Sequence, residues 1–93
     1  MFVVMIEYLV PIEEIDALLV AHREWVSRCF DEGHFVVSGP QIPRTGGVII
    51  ARTSSRGELN RLLAQDPFHL AQAVKYTVTE FEAVGAIPEL KLA

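Results

Sequence analysis

Cysteine is almost missing from this chain. Cys29 is the only one among 93 residues, which excludes an internal disulfide and any zinc cluster built on several thiolates. A reducing, cytoplasmic setting is the expectation. Clustered positive charge is missing too: the eight Lys and Arg are dispersed along a chain of net charge −4. Nucleic-acid binding needs clustered cations to neutralise phosphates, so no such partner is expected. The apolar segment after Met1, FVVMIEYLV, is too short to span a bilayer and has no basic stretch before it. Neither a membrane association nor a secretory leader is therefore expected. His34 and His69 lack metal-ligand spacing to other residues, and no metal site or other cofactor is expected.

What the chain does have is an excess of apolar residues. They make up 51% of the sequence, and the mean hydropathy is +0.30. A chain of this length forms one domain over residues 1–93, with a tail over 85–93, near the low end of sizes that build a core unaided. Small domains have much surface per unit volume, so an apolar excess predicts a second face to bury. The simplest partner is another copy of the chain, giving a homodimer.

The order of elements follows from periodicity and turn chemistry. Residues 2–10 read as a strand buried on both faces, ended by Pro11. Residues 12–32 carry the stripe Ile15, Leu18, Leu19, Trp25, Val26, Cys29 and Phe30 of a helix. Its acidic Glu13, Glu14 and Asp16 suit the positive end of the helix dipole, and Gly33 suits its C-terminal cap. HFVVSGP reads as a short strand, QIPRTGG as a turn, and GVIIAR at 47–52 as the second arm of a hairpin. Ser55 and Glu58 match a capping box that opens a helix burying Leu59, Leu62 and Leu63. Asp66-Pro67 interrupts this helix, PFHLAQA adds a turn, and residues 74–84 form the last strand, with a bulge before Phe81. The order β-α-β-β-α-β predicts an α+β, ferredoxin-like sandwich with helices on one face of the sheet. The bare face is apolar, and two such faces packed together make a dimeric α+β barrel.

One residue does not fit its surroundings. His22 sits inside the apolar stripe of the first helix, seven residues after Ile15 and four before Val26. Asp66 lies seven after Leu59, at the end of the second helix, where it also suits a cap for the turn that follows. A buried carboxylate and a buried imidazolium are each costly alone and offset one another when paired. The aspartate would accept from one ring nitrogen and fix the tautomer, leaving the other nitrogen to move a proton.

With His22, the groups Ser38-Gly39-Pro40, Gly46-Gly47 and Asp66-Pro67-Phe68 occur in an order and spacing that resemble the YCII family of small dimeric α+β barrel proteins. The resemblance covers nearly the whole chain. It implies a His-Asp dyad at His22 and Asp66, a pocket-lining turn at Gly39 and Pro40, and dehydrochlorination in aromatic breakdown as the best-defined activity. The chain departs from the family in its apolar tail.

The expectation is a small cofactor-free enzyme acting on a small ring or carbonyl compound. His22, oriented by Asp66, abstracts a proton. Donors near Ser38 and Gly39 stabilise the oxyanion, and Pro40 and Phe68 complete the substrate site. The resemblance implies loss of chloride, a dehydrochlorinase-type lyase; reprotonation elsewhere would make it an isomerase. The rival reading is a non-catalytic small-molecule-binding or assembly module in which the His-Asp pair locks the fold. Trp25, Tyr8 and Tyr76 read as core or interface, His34 and His69 as surface or rim, and Cys29 as inert.

Overall fold

The computed structural model describes residues 1–90. The expected tail over 85–93 is thus described to residue 90, and its last three residues lie outside. Seven elements follow one another: β1 (Phe2–Tyr8), α1 (Ile12–Asp31), β2 (Phe35–Pro40), β3 (Gly46–Ala51), α2 (Arg56–Leu63), α3 (Pro67–Leu70) and β4 (Val74–Glu80). The four strands form one antiparallel sheet in the order β2-β3-β1-β4. This is the ferredoxin-like α+β arrangement, with α3 as the extra turn after Asp66-Pro67.

The helices cover one face of the sheet. Phe2, Val4 and Ile6 of β1 and Ile49 and Ala51 of β3 point to that face and are buried. They meet Ile15, Trp25 and Cys29 of α1, Leu59 and Leu63 of α2, and Phe68 of α3. Each large apolar side chain buried this way contributes about 1.5–3 kcal/mol. Leu18, Leu19 and Val26 are half-buried at the edge of the core, whereas Phe30 is exposed. The opposite face carries Val3, Met5, Val48, Ile50 and Val37. Among the described residues no helix covers it, and Met5 and Val37 are 39% and 56% exposed. Among the described residues, no helix is long and apolar enough to cross a membrane.

Local chemistry sets the boundaries. Gly33 takes φ +80° after α1, a conformation that suits glycine. Its N–H bonds to Phe30 O at 2.9 Å, and His34 N–H reaches Cys29 O at 2.9 Å, which closes the helix with a Schellman motif. At α2, the Ser55 hydroxyl accepts from Glu58 N–H. The Glu58 carboxylate returns to the Ser54 N–H and hydroxyl, one residue before the position a standard capping box uses. Gly46 has no room for a side chain, since a Cβ there would lie 1.9 Å from the Ile6 carbonyl oxygen.

Two expectations about strands are corrected. The last strand ends at Glu80, paired with Phe2, with Phe81 still exchanging backbone bonds with Met1, and its register is regular throughout. The bulge lies instead in β2, between Phe35 and Val37. One inserted residue reverses the alternation of side chains along a strand. Phe35 faces the helices opposite Ala51, and beyond the bulge Ser38 and Pro40 share that face, opposite Ile49 and Gly47. The bulge therefore aims Ser38 at the helix layer.

Candidate active site

A cavity of about 250 Å³ opens between α1 and the β2-β3-β1 part of the sheet. On the helix side Leu19, His22, Arg23 and Val26 line it, spaced as one helical stripe. Phe68 of α3 lines it as well. The sheet and its connecting loop contribute Ile6, Tyr8, Ser38, Gly39, Pro40, Arg44 and Ile49, among others. A cavity this small suits a single-ring compound.

His22 has two supports. Its ring stacks on Phe68, with centroids 3.8 Å apart and planes 8° from parallel. Its Nδ1 lies 2.8 Å from Asp66 Oδ1. Asp66 is fully buried and acts as an acceptor three times. Phe68 N–H donates to Oδ1 at 2.9 Å, and the Tyr76 hydroxyl donates to Oδ2 at 2.5 Å. A carboxylate acting only as acceptor assigns the Nδ1 hydrogen to His22, which leaves Nε2 with its lone pair. Among the described residues Nε2 has no hydrogen-bond partner, and the His22 ring lines the cavity.

The position of Asp66 differs from the sequence reading in one respect. It does not continue the Leu59 stripe, because α2 ends at Leu63. Asp66 has φ −62° and ψ 124° and is the N-cap of α3, with Pro67 at the first helical position. Pro67 forces this break by excluding helical geometry for the residue before it. The cap turns the carboxylate inward, between α1 and β4. One oxygen caps the helix and holds His22; the other meets Tyr76.

Ser38, Gly39, Pro40 and Phe68 all line the same cavity as His22, and Asp66 sits behind His22 rather than on the wall. His34 lies elsewhere, within 3.4 Å of Glu32 and 3.5 Å of Glu58. His69 stacks on Tyr76 at 5.9 Å and is absent from the cavity wall. Cys29 is buried, and burial together with nearby Glu32 pushes its thiol up to about 11, so it stays protonated and unreactive near neutral pH.

Four residues at the site escape a periodicity reading. Tyr76 alternates with Val74 and Val78 as a strand core residue would, and nothing in that pattern signals its bond to Asp66. Burial and the adjacent Asp66 carboxylate push its phenol well above the ordinary value, so it remains a donor. Tyr8 lines the cavity instead of serving only as core. Arg23 and Arg44 line it as well. Arg23 had one available signal: it sits beside His22 on the stripe that runs from Leu19 to Val26.

The fold has a solved counterpart. The chain is similar to 5-chloro-2-hydroxyhydroquinone dehydrochlorinase from Burkholderia phenoliruptrix AC1100, in complex with 2,5-dihydroxybenzoquinone, with a TM-score of 0.73 and 18% sequence identity. The match covers 88% of this chain and 94% of that one. No curated protein matches the chain by sequence. The model of the YCII-related domain matches residues 1–82, and on that match the chain belongs to the YCII family.

Proposed function

We propose that this chain is a small-molecule lyase of the dehydrochlorinase type, with His22 as the base and Asp66 as the group that orients it. The observation that carries the reading is the cavity-lining imidazole whose Nδ1 is committed to a buried carboxylate. Nε2 takes a proton from a ring hydroxyl or from carbon next to a carbonyl. On a chlorinated polyhydroxy ring that proton is returned to the chlorine-bearing carbon as the neighbouring hydroxyl becomes a carbonyl. Loss of a second hydroxyl proton then forms a ring double bond at that carbon as chloride departs with the electrons of its own bond. Where the proton comes from carbon next to a carbonyl, its electron pair forms the double bond directly. The sum is loss of HCl, which is redox-neutral. The Ser38 hydroxyl and backbone around Gly39 stabilise the developing oxyanion, and Pro40 and Phe68 hold the ring. The similar solved enzyme, named for a dehydrochlorination and bound to a dihydroxybenzoquinone, supports this choice of reaction and ligand class.

The test is chloride release from 5-chloro-2-hydroxyhydroquinone. The wild-type chain should release chloride above the uncatalysed rate. His22→Ala should lose about 100-fold or more of that rate while staying folded. No release by wild type, or full activity in His22→Ala, rejects the reading.

The working form in this proposal is a cytoplasmic homodimer of single-domain chains, with the bare sheet faces packed together. The exposure of Met5 and Val37 beside half-buried Val3, Val48 and Ile50 supports it. Val48→Lys should convert a dimer to a monomer in light scattering, and a monomeric wild type would reject this part.

A second reading has its own observation. Asp66 caps α3 and accepts from Tyr76 as well as His22, so the pair also suits a polar lock in a non-catalytic binding or assembly module. On that reading either His22→Leu is neutral or stabilising, or His22→Ala unfolds the chain.

A further inference from the structure

The charge of the cavity wall opposes the charge of the chain. The chain carries a formal −4. Among the described residues the cavity is lined by Arg23 and Arg44 and by no aspartate or glutamate, so two guanidiniums stand on its wall, that of Arg44 paired from outside the lining by Asp16. The two arginines come from opposite sides. Arg23 projects from α1 on the stripe of Leu19, His22 and Val26 and is exposed at the cavity. Among the described residues no carboxylate lies within ion-pair distance of it. Arg44 comes from the β2-β3 connection. One of its terminal nitrogens is held by Asp16 of α1 at 2.7 Å. Asp16 thus holds one nitrogen of the fork while the side chain lines the cavity.

A guanidinium matches a carboxylate or another paired-oxygen anion in shape and charge. Two of them on the wall of a cleft with low-dielectric sides concentrate anions there. We propose that the substrate of this site is an anion, a small ring bearing a carboxylate or an ionised hydroxyl, gripped between Arg23 and Arg44 while its reacting hydrogen faces His22. This rests on the proposed acid–base reading of His22 and adds the chemical class of what it acts on. Proton removal from such a molecule adds a second negative charge to the ring, and the same arginines stabilise that charge as it develops.

Benzoate and benzamide are suitable probes because they share a ring and nearly a shape and differ in charge. Titration followed by amide NMR should show saturable benzoate binding near neutral pH, with shifts at Leu19, Val26, Gly39 and Phe68. Benzoate should bind about ten-fold or more tighter than benzamide, the worth of charge-assisted hydrogen bonds. Arg23→Met and Arg44→Met should each cut that preference to about three-fold or less with the amide spectrum otherwise unchanged. Absence of saturable benzoate binding, equal affinity for the two probes, or an undiminished preference in Arg23→Met overturns the proposal. The preference is read without turnover. If chloride release fails and the preference stands, the lyase reading alone falls; if turnover stands without the preference, this inference alone falls.

Discussion

The Tyr76 hydroxyl donates to Asp66 Oδ2 at 2.5 Å, on the oxygen opposite the one that holds His22. The dyad is thereby a triad of contacts around one buried carboxylate, with the outer member supplied by β4. Removing this donor leaves a buried oxygen without a partner. Tyr76→Phe should lose about 1–3 kcal/mol in urea unfolding. A neutral substitution would show that Tyr76 does not support the carboxylate.

The two roles of Asp66 separate by substitution. Asn is as good an N-cap as Asp, so Asp66→Asn should keep α3 and fold. Asp66→Ala removes the cap and strands both His22 and Tyr76, and should cost about 3–5 kcal/mol. Equal stability of the two variants would contradict the capping geometry.

Alkaline pH gives a further prediction through Tyr76. Its ordinary pKa is 10.0, and in the folded chain burial and Asp66 raise it. The folded state then holds its phenol proton where the unfolded state loses it. The associated stability is complete below about pH 10 and falls above it by about 1.4 kcal/mol per pH unit. In Tyr76→Phe this slope disappears, so the stability gap between the two proteins should narrow as pH rises beyond 10. A gap that stays constant in paired unfolding curves would contradict the assignment.

Two glycines should respond in opposite directions to alanine. A Cβ at Gly46 would meet the Ile6 carbonyl oxygen at 1.9 Å, whereas at Gly57 in α2 the nearest atoms stand at 3.7 and 3.8 Å, both on side chains. Gly46→Ala should lose about 1–3 kcal/mol or more by forcing the strands apart. Gly57→Ala should gain about 0.5–1 kcal/mol from helix propensity. Thermal unfolding of both variants measures the contrast.

Much of this was legible in the sequence, for reasons specific to particular residues. The apolar stripe of α1 and the Asp66-Pro67 break give strong local signals, since helix periodicity and proline sterics act over a few residues. His22 stands out because an imidazole interrupts that stripe. The bulge at Val36 is not legible, because no glycine or proline marks it, and it alone decides that Ser38 rather than Val37 faces the helices. Tyr76 and Arg44 are not legible either. Their roles arise from contacts with Asp66 and Asp16, 10 and 28 residues away, and their local patterns read as ordinary strand and loop.

The most direct measurement is the tautomer of His22, read from the ¹⁵N shifts of its ring in the wild type and in Asp66→Asn. The wild-type neutral ring should carry its hydrogen on Nδ1 and leave Nε2 bare, the arrangement a base facing the cavity requires. In Asp66→Asn that preference should weaken or reverse. A wild-type ring protonated on Nε2, or a tautomer that ignores the loss of the carboxylate, would contradict the dyad and the chemistry proposed from it.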